Sequence, residues 1–405
     1  MTNPPHLLDG IRVLDVATFI AGPAAATVMA DFGADVIKVE PPEGDGLRSL
    51  FKQPGYPPSE LDYCWLVDNR NKRGIVVDLK RDEGRDVLHR LVRTADVFVT
   101  NLPLEARRRL QLRYGDLNTV NRRLVYASIT GYGETGAEAD KPGFDSTALW
   151  ARSGLMDWIR PSPDAPPARS VPGMGDHPTA LALFAAIMAA LYQRERTGAG
   201  TMVSTSLMAN GLWWNAIPVQ AMLLGSRFAP RPPREQSSNA LTNVYRCRDG
   251  RWFMLTLLAE QRDWERLATA IGRPDLPGDV GFATPHDRHA NARALTAILD
   301  EIFARKDLAE WRAILDTHRL TFGVVETLDD VPDDRQMRDS GALVPFADTG
   351  LAGKLTVASP VWMEGQTKLP PRRAPARGEH TVEVLREAGF DQEEIDRLLK
   401  ARVVA

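Results

Sequence analysis

The first 130 residues predict an α/β chain built on a doubly wound parallel sheet, and three observations carry that expectation. Short runs rich in Val, Ile and Leu alternate with helical segments through at least four β-α units, the first crossover is short, and Gly, Pro or Asn marks the boundaries. At 405 residues, 43% hydrophobic and 25% charged, the chain has an ordinary globular composition and enough material for roughly two to three domains.

In order, Arg12-Val13-Leu14-Asp15-Val16 reads as a buried strand, Gly22-Pro23 opens a small-residue helix from Ala24 to about Phe32, and Asp35 to Glu40 is a second strand. Glu40 could mimic the ribose ligand of a dinucleotide-binding turn. The preceding turn argues against it, because Val16 to Pro23 holds no G-x-G-x-x-G and places Phe19 and Ile20 where a pyrophosphate needs bare backbone. Pro41 to Asp68 reads as a surface excursion. A strand at Ile75 to Leu79, an amphipathic helix at Lys80 to Arg93, and strands at Ala95 to Thr100 and Leu124 to Ile129 follow. The literal G-x-G-x-x-G at Gly131 to Gly136 runs into a loop carrying Pro142, whereas a nucleotide fingerprint must open a helix. Helices are expected at Ser146 to Met156 and Ser204 to Leu224, the latter bearing Trp213 and Trp214, both expected in core.

From Ser226 the composition turns to Arg, Pro and Ser and reads as a linker. A hairpin around Asp249-Gly250 and helices at Glu260 to Ile271, His289 to Arg305 and Asp307 to His318 make a small α+β unit. The expected organisation is a large domain over 1–225, a linker over 226–240, a small domain over 241–330, and a return linker with C-terminal helices over 331–405. The last two helices are expected at Thr381 to Glu387 and Asp391 to Arg402.

Charge and motifs narrow the function. Fifty Lys and Arg against 53 Asp and Glu give a net charge of −3, which offers no general attraction to nucleic acid or an anionic membrane. Cys64 and Cys247 stand alone, so neither a disulfide framework nor a metal site is expected. Met1 to Gly10 lacks a signal-peptide pattern and no apolar run is long enough to span a bilayer, so a cytoplasmic setting is expected. Zincin, P-loop and serine-hydrolase motifs are missing.

The stretch Gly173 to Thr179 stands out. Asp176 falls where a helix N-cap belongs, after two glycines and before Pro178, and Leu181, Phe184, Ala185, Met188 and Leu191 then recur at helical spacing. A carboxylate there is expected to stay ionised at the positive end of the helix. Asp is also among the commonest purely structural caps, so the stretch alone does not make Asp176 catalytic. His177 points elsewhere as a sequence neighbour and reads as a flanking residue rather than a base.

Leu14-Asp15, Ala21-Gly22-Pro23, Phe32 to Glu40, Asn71-Lys72-Arg73, Ala95-Asp96-Val97, Gly131-Tyr132-Gly133, Pro142 to Asp145, Gly175-Asp176 and Arg196-Thr197-Gly198 occur in that order. In combination they resemble the family III CoA-transferases, most densely over the first 200 residues. The resemblance implies a large Rossmann-like domain, a small domain joined by two long linkers, and an interlocked homodimer. It implies acyl-CoA and a small carboxylic acid as substrates, with no tightly bound cofactor, and Asp176 as catalytic nucleophile. By position it places CoA contacts at Ile20, Ala21, Lys80, Asn101, Leu102, Arg109 and Lys141 to Phe144. An arginine of the family pattern is replaced by Pro41, which leaves Lys72 and Arg73 as substitutes at the nucleotide end. Arg107 and Arg108 read as solvated surface charge. The related racemases use a histidine in Gly-His-Asp. Here the triplet is Gly143-Phe144-Asp145, and Phe144 cannot exchange a proton, which favours transfer over racemisation. A nucleotide-dependent oxidoreductase is the remaining, weaker alternative.

Overall fold

The computed structural model describes residues 6–405. Its contacts divide the chain into two compact units, one comprising the N-terminal residues up to Leu155 with Arg169–Leu223 and Arg335–Ala405, the other Met156–Ala168 with Leu224–Asp334.

The first unit is built on β1 (Arg12–Asp15), α1 (Ala21–Asp31), β2 (Asp35–Glu40), α2 (Tyr63–Asn69), β3 (Arg73–Val76), α3 (Asp82–Val92), β4 (Val97–Thr100), α4 (Leu104–Leu110), α5 (Tyr114–Asn118) and β5 (Val125–Thr130). After α6 (Leu155–Trp158) come α7 (Asp176–Thr197), β6 (Met202–Ser206), α8 (Leu207–Trp214) and α9 (Ala216–Leu223). The six strands lie in the order β3-β2-β1-β4-β5-β6, and every pairing is parallel. That is the doubly wound order of a dinucleotide-binding sheet, in which the direction of winding reverses between β1 and β4 and opens a crevice at their carboxyl ends.

Both faces of the sheet are covered, which is why its strands are apolar on consecutive residues rather than on alternate ones. Val13, Val97, Val99, Val125 and Ala127 pack against α1 and α7, while Leu14, Ile37, Phe98 and Tyr126 pack against α3 and the C-terminal helices. The small residues of α1 let it lie close on the sheet. A Cβ on Gly22 would stand 2.4 Å from that of Ala17.

Several local expectations change. The long helix expected from Ser204 is instead strand β6 followed by two helices, with Ser206 as the N-cap of α8, its Oγ accepting from Ala209 N at 3.1 Å. The polar Met-Val-Ser-Thr-Ser run suits an edge strand, and the apolar segment after it hid the boundary. The supposed excursion at 41–68 holds a 3-10 turn, Gly46–Lys52, capped by Asp45, and helix α2, capped by Asp62, which buries Trp65. The expected helix at Ser146 to Met156 is a π-turn over Asp145–Ala151 and the short α6. Trp213 is 78% exposed and Trp214 39%, so neither is a core residue of the described chain.

The unit closes with α14 (Arg335–Asp339), the antiparallel pair β10 (Leu343–Pro345) and β11 (Leu355–Val357), α15 (Thr381–Glu387) and α16 (Gln392–Lys400). The second unit carries the antiparallel sheet β7 (Thr242–Arg246), β8 (Trp252–Thr256) and β9 (Phe322–Val325), with the Asp249-Gly250 turn between its first two strands. Its helices α10 (Glu260–Ala270), α11 (Pro285–Ala290), α12 (Ala292–Phe303) and α13 (Leu308–Thr317) enclose a core of Trp264, Phe253, Phe303 and Trp311. Among the described residues no helix is long and apolar enough to cross a membrane.

Candidate active site

The crevice between β1 and β4 rests on a buried ionic floor. Lys72 donates to Asp15 Oδ2, Pro23 O and Asp68 O, each at 2.8 Å, and to Asn69 Oδ1 at 3.0 Å. Lys38 pairs with Asp45 Oδ2 at 2.8 Å and stands 3.8 Å from Asp15 Oδ1. Burial opposes the charge on Lys38, but Asp15 and Asp45 outweigh it and raise its pKa. Burial likewise works against the Asp45 carboxylate, and Lys38 prevails and lowers its pKa. For Lys72 burial wins and brings it down to about 8.

That floor shapes the loop after β1. Asp45 Oδ1 accepts from Thr18 Oγ1 at 2.9 Å and Phe19 N at 3.1 Å. Asn101, at the end of β4, exchanges two 2.8 Å hydrogen bonds with the Thr18 backbone. Phe19 is held at φ 58, a left-handed conformation that costs a bulky residue of order 1–3 kcal/mol and persists where the surroundings impose it. Its ring meets that of Phe144 edge-on at 6.2 Å.

Asp176 is the first residue of α7 and not its cap. Gly175 occupies the cap position without a side-chain bond, and its N–H donates to Asp145 Oδ2 at 3.1 Å. The fit there is close, since a Cβ on Gly175 would lie 2.9 Å from both Asp145 Cβ and Leu149 Cδ1. The expectation of an ordinary, firmly ionised carboxylate also fails. Burial, then the like charge of Asp145, and lastly that of Asp68, push Asp176 up to about 7, with His177 pulling the other way. The helix end does not offset this loss of water.

His177 is more than a flanking residue. Its Nδ1 lies 3.1 Å from Gly173 O and its Nε2 3.0 Å from Asp68 Oδ1. Both partners only accept, so the imidazolium alone satisfies both bonds. Burial disfavours that charge, and the bond and charge of Asp68 overcome it and raise the His177 pKa. The cluster therefore sets three carboxylates, Asp68, Asp145 and Asp176, against one imidazolium.

The residues singled out from the sequence fall into groups. Lys80 and Leu102 line one cavity of about 200 Å³ at the strand ends, together with Thr18, Pro41 and Asp45. Asn101 fixes Thr18, and Ile20 and Ala21 start α1, with Ile20 Cδ1 reaching within 3.7 Å of where a Gly173 Cβ would be. Phe144, 62% exposed, stands beside Phe19. Lys141 pairs with Glu138 over the Tyr132 ring, and Arg109 is exposed on α4, outside the wall of that cavity.

Lys72 and Arg73 do not serve as substitutes at the nucleotide end. The first is buried and consumed by Asp15, and the second is bound by Asp35, Glu383 and Glu387. Glu40 is taken by Arg48, whose guanidinium stacks 3.6 Å from the Trp65 ring centre. Arg107 is buried against Glu134, so it is no solvated surface charge, whereas Arg108 is half-exposed. Sequence reasoning gave no role to Asp68 or Asp45, and Lys38 was visible only inside the Phe32 to Glu40 motif. Asp145 was visible only as the end of a motif.

A family model described as CoA-transferase family III matches residues 8–381. The (R)-2-hydroxy-4-methylpentanoate CoA-transferase of Clostridioides difficile is 33% identical over 404 residues, 98% of this chain and 99% of that protein. The cinnamoyl-CoA:phenyllactate CoA-transferase of Clostridium sporogenes is also 33% identical, over 99% of this chain and 98% of its own. The crystal structure of a CAIB/BAIF family protein from Brucella suis superposes with a TM-score of 0.84 at 30% identity, covering 95% of this chain and 100% of that one. The chain belongs to CoA-transferase family III and is a CoA-transferase enzyme.

Proposed function

We propose that this family III enzyme moves CoA from an acyl-CoA to a carboxylic acid through covalent intermediates on Asp176. The Asp176 carboxylate attacks the thioester carbonyl, forming a mixed anhydride and releasing CoA thiolate. The thiolate attacks the Asp176 carbonyl of that anhydride, giving an aspartyl-CoA thioester and the free donor acid. The acceptor carboxylate attacks this thioester, forming a second mixed anhydride and again releasing thiolate. Thiolate attack on the acyl carbonyl of that anhydride yields the new acyl-CoA and restores the Asp176 carboxylate.

The observation that supports this reading is the desolvated carboxylate of Asp176 at the start of α7, one residue from the His177 imidazolium. A carboxylate that has lost part of its water is the stronger nucleophile, and with its pKa near 7 about half of it is ionised at neutral pH. Backbone N–H groups around Gly175 would meet the developing oxyanions. In this reading Ile20, Ala21, Lys80, Asn101, Leu102, Arg109, Lys141 and Phe144 contact CoA, which acts as substrate with no tightly bound cofactor, in a cytoplasmic setting. The exposed apolar residues Trp213, Ile217, Leu223 and Leu224 support pairing with a second copy of the chain.

Incubation with acyl-CoA alone, followed by proteolysis and mass spectrometry, tests the mechanism. The CoA thioester is expected on the peptide that contains Asp176. Near-normal transfer by Asp176→Ala would end this reading.

A further inference from the structure

Phe19 is the unusual member of a small set. The other non-glycine residues of positive φ among those described, Asn71, Gln111, Arg319 and Arg402, are polar, whereas Phe19 is aromatic. Its ring lies over Gly46, where a Cβ would stand 2.9 Å from the ring's Cζ, and against Phe144, yet it stays 38% exposed. Such a residue leaves the left-handed region unless its surroundings hold it there.

The hold comes from Asp45. Its Oδ1 accepts from Phe19 N at 3.1 Å, from Thr18 Oγ1 at 2.9 Å and from Leu47 N at 2.9 Å. Its Oδ2 pairs with Lys38, which in turn donates to Ala17 O at 2.5 Å. Three successive residues, Ala17, Thr18 and Phe19, are thus each bonded to the Lys38–Asp45 pair. Asp45 is itself fixed, because its N–H donates at 3.0 Å to the Glu40 carboxylate that Arg48 holds. Thr18 and Asp45 also line the cavity at the strand ends, and the loop they fix runs directly into Ile20 and α1. In a doubly wound sheet that is the edge at which ligands bind.

We propose that Asp45 is a positioning residue for CoA, acting through Thr18 and the left-handed Phe19 to hold the loop between β1 and α1 in the shape that receives the ligand. A wall ordered in advance spares CoA the cost of ordering it on binding. Loss of Asp45 then weakens CoA binding and leaves the chemistry of bound substrate alone, so KM rises and kcat stays. A glycine at position 19 adopts the left-handed conformation without steric cost and removes the need for Asp45. A β-branched residue there resists it most. The inference rests on the placement of CoA along Ile20, Ala21 and Asn101 proposed above.

The test titrates the full-length protein with CoA in a calorimeter and follows transfer from acetyl-CoA to propionate. Asp45→Ala should raise the Kd for CoA and the KM for acetyl-CoA about tenfold or more, with kcat within about threefold. Phe19→Gly and Phe19→Asn should hold CoA within about threefold of the wild type, and Phe19→Val should weaken it about tenfold or more. Adding Phe19→Gly to Asp45→Ala should bring the Kd back to within about threefold of Phe19→Gly alone. Thermal melts establish that each variant folds, and the series at position 19 decides the matter if Asp45→Ala does not. The proposal is overturned if Asp45→Ala lowers kcat and leaves Kd unchanged, or if the double variant binds as poorly as Asp45→Ala. It is also overturned if Phe19→Val binds better than Phe19→Gly and Phe19→Asn, since the side chain and not the backbone shape then makes the contact. Lys80→Ala and Arg109→Ala test the placement of CoA separately. No loss of CoA affinity in either, with the variants at 45 and 19 behaving as expected, removes those two contacts and leaves the role of Asp45 standing.

Discussion

Two ionic clusters lie near the carboxyl edge of the sheet, one sealed and one half-open, and they are composed differently. Beneath the β1–β4 crevice, Lys38 and Lys72 are matched against Asp15 and Asp45, and the charges cancel. At the start of α7, Asp68 holds the His177 imidazolium, and the Asp176 carboxylate faces the like charges of Asp145 and Asp68 with only that imidazolium against them. The balanced cluster holds a strained loop in place. The unbalanced one leaves a carboxylate poorly solvated and poorly paired, a condition that stores reactivity at some cost in stability.

The contrast is broken most severely at the two aspartates that anchor each cluster. Asp176→Asn is expected to lower kcat by about a thousandfold or more, read in steady-state transfer assays, with CoA affinity preserved in calorimetry. Asp15→Leu leaves Lys72 and Lys38 facing a lost partner and should cost about 3–5 kcal/mol in denaturant unfolding, with no comparable loss from Asp176→Asn.

Asp176→Asn should in fact stabilise the fold at pH 8, by about 2 kcal/mol. The sign follows from linkage. A carboxyl whose pKa rises from 3.8 unfolded to about 7 folded binds a proton more tightly in the native state. Its contribution is fully present below about pH 4 and is lost as pH rises through about 7. His177, also raised, slopes the same way, so the wild-type melting temperature should decline from pH 5 to pH 8 and decline less in Asp176→Asn.

The acid limb of kcat/KM sharpens the comparison further. It should titrate near 7 in the wild type, move down by about one unit in Asp145→Asn, and move up in His177→Gln. The Asn keeps an oxygen for the Gly175 N–H, so the first change reports charge and not a lost contact. The smallest effect belongs to the surface. Breaking the exposed Lys80–Glu43 pair by Glu43→Ala should alter stability by no more than about 0.5 kcal/mol.

What the sequence made legible follows the range of the forces involved. Periodicity is local, so β2 and α15 came out with the boundaries the structure has, Asp35–Glu40 and Thr381–Glu387. Strand β6 did not, because its polar residues lie at a sheet edge where alternation is weak. Asp176 was within reach because a Gly-rich turn before an apolar helix is a local signal. Its electrostatic partners were not, since Asp68 lies 109 residues from His177 and only the fold brings them together. Lys72 shows the opposite failure. A basic residue in an Asn-Lys-Arg run reads as a ligand hand, and only burial reveals it as a strut.

The enclosure of Lys38 and Lys72 gives them a further consequence. Both amines are sealed from solvent while the other lysine amines with a stated exposure, such as those of Lys80 and Lys141, stand open. An amine-directed label therefore ignores these two positions until the base of the crevice parts. Their rate of modification measures how often the native protein breathes at that one place, a clock written into the chain without any introduced probe.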